Sequence, residues 1–231
     1  QHQDSRSLIA EAVRTAITGI RLATHGEKCP VVAFTSSVPG EGKSTLAINT
    51  AIEAGRTKKV LLVDADLRKP SLAEYLNLPD EGPGLTDIIA GAPLDICLNH
   101  SEDLHISVIR AGTIRQNPLD QLMSIEFRHT LNMLQEKYDM IVVDTPPIEL
   151  VSDALPIGKI ASGVVYVAKA NDTPIGMIKR GLSRLESADI NVLGVVLNAH
   201  DFEKASKYYG EESAYGSYGA YGYHTGTDGR S

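Results

Sequence analysis

The chain has 231 residues, 42% of them hydrophobic, and sets 22 Lys and Arg against 29 Asp and Glu for a formal charge of −7. That length and apolar content suit one main α/β domain, and the acidic balance offers no general basic surface for nucleic acid. The two cysteines, Cys29 and Cys97, stand far apart without a CxxC or Cys/His cluster, so no zinc or iron–sulfur ligand set is indicated.

The polar start, Gln1 to Arg6, is not a signal peptide, and no stretch approaches the ~18 apolar residues that a membrane span needs. The chain therefore reads as soluble, and its lack of an initiating methionine as the mark of a piece cut from something longer. Ser7 to Ala23 reads as an amphipathic helix with Leu8, Ile9, Ala12, Val13, Ala16, Ile17 and Ile20 available for a buried stripe.

A first strand is expected at Val31–Phe34, followed by "SSVPGEGKST" at 36–45 and a helix starting near Lys43. A strand, a glycine-containing loop and a helix N-terminus surround one anion with backbone N–H groups. In the P-loop pattern GxxxxGK[ST], Gly42 lets the backbone approach the phosphates, Lys43 reaches the β/γ oxygens and Ser44 holds Mg²⁺. Pro39, Gly40, Glu41 and Thr45 complete the nucleotide-binding loop, and Ser37 departs from the pattern, which has Gly there.

Further apolar, β-branched runs lie at Val60–Val63, Ile106–Ile109, Met140–Val143, Gly163–Ala168 and Val192–Leu197, with helical spacing at Leu46–Ala54, Pro118–Gln135 and Ile175–Ala188. Near-continuous apolar strands alternating with helices predict a doubly wound α/β fold with a mostly parallel sheet. Two of these strands end in aspartates: "VLLVDADLR" presents Asp64 and Asp66, and "MIVVDTPP" presents Asp144. Strand carboxyl ends face the ligand crevice, so all three carboxylates are expected at the phosphate pocket, where Mg²⁺ takes hard oxygen ligands. Any single one also serves as a turn former or helix cap.

After Asn198 the composition changes sharply. The Tyr/Gly/Ser-rich segment from about residue 205 to 231 has almost no aliphatic residues and is expected to be a disordered tail behind a domain at 1–204. Six of the nine tyrosines fall there: Tyr208, Tyr209, Tyr215, Tyr218, Tyr221 and Tyr223. With nothing nearby to cover their rings, they read as phosphate acceptors or as an interaction segment.

"SSVPGEGKST", "LLVDADLRKP" and "IVVDTPP" resemble the Walker A, A′ and B motifs of the bacterial tyrosine kinases that control capsule and exopolysaccharide synthesis. The likeness runs on through "AGTIRQNPLDQLMS", "SDALPIGKIASGVVYVAKAN" and "LGVVLNAHD" to the tyrosine cluster. It implies a P-loop NTPase fold and a protein-tyrosine autokinase that uses ATP and Mg²⁺ to phosphorylate its own tail. It also implies a site at the cytoplasmic face of the bacterial inner membrane, a membrane chain-length or export activator in the same or a separate chain, and a protein-tyrosine phosphatase as partner. Trans transfer within a ring is implied as well, through an N-terminal Glu-x-x-Arg-x-x-Arg helix within residues 1–25. Glu11 and Arg14 occupy that pattern, Ile17 stands at its second arginine, and Arg21 falls a turn later.

Chemistry assigns the roles at the site. A tyrosine hydroxyl, with a pKa near 10, needs a carboxylate to take its proton. Asp64 is given that role, with Asp66 on Mg²⁺ and Asp144 positioning the ion through water; the first two can be exchanged. Arg68 either neutralises the transferred group or is structural; Asn198, at the position the resemblance implies for the base, either reads the adenine edge through its amide or ends its strand. Two rival classes remain: a positioning ATPase, whose signature lysine is replaced here by Val38, and a nucleotide-binding regulator without chemistry.

Overall fold

The computed structural model describes residues 2–199 except 80, 102, 115 and 116, with side chains from residue 11 on. The six apolar runs become parallel strands, β1 (Val31–Ser36), β2 (Val60–Asp64), β4 (Ile106–Ile109), β5 (Met140–Asp144), β6 (Gly163–Lys169) and β7 (Val192–Asn198). A seventh, β3 (Leu98–Ser101), is antiparallel to β4 and sits at one edge of the order β3-β4-β2-β5-β1-β6-β7.

Alternating side chains of each strand enter opposite faces, and both faces are covered. Val32 and Phe34, Val60 and Leu62, and Val142 pack with Ala47, Ile48, Ala51 and Ala54 of α2 (Lys43–Gly55). Val31 and Ala33, Leu61 and Val63, and Ile141 and Val143 pack on the other side. There they meet Leu85 and Ile88 of α4 (Leu85–Ile89), Cys97 of α5 (Leu94–Cys97) and Phe127, Leu131 and Leu134 of α7 (Ile125–Gln135). Ile157 of α8 (Ala154–Ile160) and Leu185 of α9 (Ile175–Ser187) complete that layer. Each fully buried Val, Leu, Ile or Phe side chain among them stabilises the fold by about 1.5–3 kcal/mol. The expected doubly wound, mostly parallel α/β sheet is thus the architecture found.

Two expectations about helices are corrected. The segment Pro118–Gln135 is two helices, α6 (Pro118–Met123) and α7, because Ser124 turns the chain to extended dihedrals. Its Oγ donates to Gln121 O at 2.7 Å and accepts from Phe127 N at 3.1 Å, ending one helix and capping the next. The N-terminal helix α1 (His2–Ala23) packs on α2 and β7, but its buried stripe is Val13, Ile17 and Ile20; Ala12 is exposed and Ala16 half-buried. Ile17 faces the domain, which accounts for an apolar residue where the kinase pattern has its second arginine. The side chains of Leu8 and Ile9, the tail tyrosines and the boundary at 205 lie outside the described residues.

Candidate active site

The sharp turn from β1 into α2 is made possible by two glycines in left-handed conformation, Gly40 at φ 84° and Gly42 at φ 92°. Lys43 and Ser44 open α2 and are buried, while Thr45 is exposed on the same rim. Ser37, the departure from the P-loop pattern, has a partner: its Oγ lies 2.8 Å from the Tyr166 hydroxyl in β6, and both residues are buried. Gly181 of α9 leaves room for that hydroxyl, since a Cβ there would fall 2.0 Å from it.

The sheet order sets β5 between β1 and β2, with Asp64 and Asp144 side by side in register. Lys43 Nζ lies 3.1 Å from Asp66 Oδ2 and 3.3 Å from Asp144 Oδ1, and donates to Ser44 Oγ at 3.2 Å. Ser44 Oγ in turn donates to Asp144 Oδ2 at 2.6 Å. Lysine, hydroxyl and two carboxylates thus meet at one point. A cavity of about 380 Å³ opens beside them, lined also by Pro39, Gly40, Gly42, Arg68 and Ser71.

Burial would lower the Lys43 pKa, but Asp144 and Asp66 outweigh it and hold the ammonium above its usual range. Burial pushes Asp144 up to about 6, against the opposing pull of Lys43. Burial and the neighbouring Asp144 charge push Asp64 up to about 7. Asp64 differs from Asp66 in geometry as well. Its Oδ2 accepts from Ser71 N and Leu72 N, both at 3.0 Å, and its Oδ1 from Asp66 N at 3.2 Å. It fixes the loop after β2 and the start of α3 (Leu72–Tyr75), whereas Asp66 opens on the cavity. The three aspartates lie together at the strand ends, but Lys43 touches only Asp66 and Asp144, and of the three only Asp66 lines the cavity.

Glu41 and Asn198 hold the loop from behind. The Glu41 carboxylate accepts from Val38 N at 2.9 Å and from the Thr173 hydroxyl, and its carbonyl accepts from Asn198 Nδ2 at 2.9 Å. Asn198 thus gives one of its two Nδ2 N–H donors to the loop. Arg68 makes a two-point contact with the buried Asp153, a residue that sequence reasoning passed over, as it did the clamp from Thr173. Glu11 and Arg14 form an exposed ion pair at 3.1 Å, worth little in water.

The oxygen donors Ser44, Asp66 and Asp144 fit Mg²⁺, and the glycine loop with Lys43 fits a polyphosphate.

The chain matches the family described as "ParA: NUBPL iron-transfer P-loop NTPase" over residues 29–223. Both cysteines here are buried, and burial pushes the Cys29 thiol up to about 11, so it is protonated at neutral pH. Among relatives, the tyrosine-protein kinase YwqD of Bacillus subtilis is 35% identical over 207 residues, 89% of this chain and 87% of that protein. The tyrosine-protein kinase Ptk of Acinetobacter johnsonii is 33% identical over 90% of this chain, which spans only 28% of Ptk. The kinase domain of VpsO superposes with a TM-score of 0.78 at 34% identity, over 87% of this chain and 98% of that one.

Proposed function

The chain belongs to the bacterial tyrosine-protein kinases, and from that premise we propose that it transfers the γ-phosphoryl group of ATP to tyrosines of its own C-terminal segment in a Mg²⁺-dependent reaction. The observation that carries this reading is the meeting of Lys43, Ser44, Asp66 and Asp144 where β1 feeds α2. Lys43 exchanges its carboxylate partners for the β/γ-phosphate oxygens, where its charge stabilises the negative charge that develops during transfer. Ser44 and Asp66 would hold Mg²⁺, with Asp144 acting through water. The ion, when bound, supplies further neutralisation at the phosphates.

A tail tyrosine oxygen forms the new bond to the γ-phosphorus, the bond to the β–γ bridging oxygen breaks, and ADP leaves. The phenolic proton passes to Asp64 and on to solvent. Asp66 already opens on the cavity, whereas Asp64 lies behind the Ser71–Leu72 backbone, so the Asp64 role requires that segment to move, and the two aspartates are separable by mutation. Arg68 adds a second cation at the transferred group, and Asn198 reads the adenine through its amide.

The same reading makes Tyr208, Tyr209, Tyr215, Tyr218, Tyr221 and Tyr223 the acceptors, served in trans by neighbouring copies that associate through the Glu11/Arg14 helix in a ring. Its process is capsule or exopolysaccharide synthesis and export at the cytoplasmic face of the inner membrane. The membrane chain-length or export activator is a further segment or a separate chain, and a protein-tyrosine phosphatase resets the tail. No described helix is long and apolar enough to cross a membrane.

Replacing all six tail tyrosines by Phe tests the acceptor assignment. Mg-nucleotide binding is expected to persist while phosphotyrosine formation vanishes. Phosphotyrosine at the wild-type level would move the acceptors elsewhere.

A further inference from the structure

Asp153 is fully buried and lies one residue before α8, at the position where an aspartate ordinarily caps the helix. It makes no such cap bond. Its two oxygens instead accept from Arg68, Oδ2 from Nε at 2.7 Å and Oδ1 from Nη2 at 3.0 Å. The pair is a fork-on-fork contact, which fixes the plane of the guanidinium as well as its distance. A buried carboxylate is tolerated when it is paired, and here the partner reaches it from a loop 85 residues away in sequence.

Arg68 is not itself buried; its side chain is 42% exposed and lines the cavity beside Lys43, Ser44 and Asp66. A guanidinium has five N–H donors, of which Asp153 takes two. The other three remain for the cavity. A free arginine carries much rotamer freedom, so a two-point anchor lowers the cost of each new bond to an oxyanion. The stretch "SDALPIGK", which shares the family likeness, thereby contributes a residue to the site without touching the reacting atoms.

We propose that Asp153 is a positioning residue, a buried carboxylate that aims Arg68 at the phosphoryl group being transferred. The inference rests on the phosphoryl-transfer reading above. It differs from a purely structural tie between the loop after β2 and α8 in requiring that loss of Asp153 slow the transfer step while sparing nucleotide affinity and stability.

The test compares the full chain with Asp153→Asn, Arg68→Ala, Arg68→Lys and the double variant Arg68→Ala/Asp153→Asn. Phosphotyrosine formation, nucleotide Kd and melting temperature are measured for each. Asp153→Asn is expected to lower kcat by about 10- to 100-fold with Kd unchanged within about twofold, and Arg68→Lys to do the same, because an ammonium cannot make the fork. Guanidinium chloride at millimolar, non-denaturing concentration should restore activity to Arg68→Ala but not to the double variant, which lacks the anchor. Unchanged kcat in Asp153→Asn, a loss of activity that follows its melting at the assay temperature, or equal rescue with and without Asp153 would each overturn the proposal. A wild-type chain that transfers no phosphate refutes the reading of function itself, a failure visible before any variant is compared.

Discussion

Gly42→Ala probes the phosphate loop where its geometry is tightest. The residue has φ 92°, and a Cβ built there falls 2.0 Å from Asn198 Nδ2. A left-handed conformation costs an L-residue about 1–2 kcal/mol. The methyl group also drives the Asn198 side chain off, and its 2.9 Å bond to the Glu41 carbonyl is lost, which costs about 0.5–1.5 kcal/mol. The sum is roughly 1.5–3.5 kcal/mol, or a fall in Tm of about 3–14 °C for a domain of this size. Urea unfolding of wild type, Gly42→Ala, Asn198→Ala and the double variant measures it. Because both single changes break the same bond, the double variant should be less destabilised than the sum by about 1 kcal/mol. A Gly42→Ala protein within 0.5 kcal/mol of wild type, the usual range for neutral surface changes, or strict additivity, would refute this account of the loop.

Lys43→Met should abolish tail phosphorylation and keep the circular dichroism spectrum of wild type; phosphorylation by the folded variant would remove Lys43 from the mechanism. Asp64→Asn should impair transfer more than Mg-nucleotide binding, whereas Asp66→Asn should weaken both, and Mg²⁺ and nucleotide titrations showing the reverse would exchange the two roles. In metal- and nucleotide-free protein, Asp64 keeps its proton up to about pH 7 when folded but releases it near the ordinary 3.8 when unfolded. Its contribution to stability is therefore complete below about pH 4 and is lost as pH rises to about 7. The wild-type minus Asp64→Asn difference in urea midpoint should fall across that window, and a flat difference would show that Asp64 titrates normally. Six phosphotyrosines would add roughly −9 to −12 charges to a chain already at −7. Phosphorylated wild type should thus sediment as smaller species than Lys43→Met at low salt, and identical sedimentation would separate the tail from assembly.

The parallel strands were legible because each is an apolar run rich in Val and Ile, buried along β1, β2, β4, β5 and most of β6 and only half-covered in the edge strand β7, and the phosphate loop because glycine, lysine and serine are constrained by their own neighbours. β3 was not, since "LNHS" is four mostly polar residues at an edge, with neither alternation nor length. The short α8 hides in "ALPIGKI", whose proline and glycine read as a loop. The break at Ser124 depends on one hydroxyl bonding in both directions. At the site, sequence brought Lys43, Ser44 and the three aspartates forward by type and strand-end position. It could not distinguish the cavity-facing Asp66 from the covered Asp64, because that difference is made by backbone N–H groups seven and eight residues on. Asp153 and the Glu41–Thr173 contact join residues 85 and 132 positions apart, separations over which no local pattern carries a signal.

The central claim, transfer to tyrosine rather than to water, is tested most directly by incubating the purified chain with Mg-ATP, weighing it intact and assaying free phosphate in the same tube. The account predicts mass increments of whole phosphates that map to Tyr208–Tyr223, with little phosphate released. An unmodified chain with stoichiometric free phosphate would contradict it and identify a nucleotide-hydrolysing switch on the same fold.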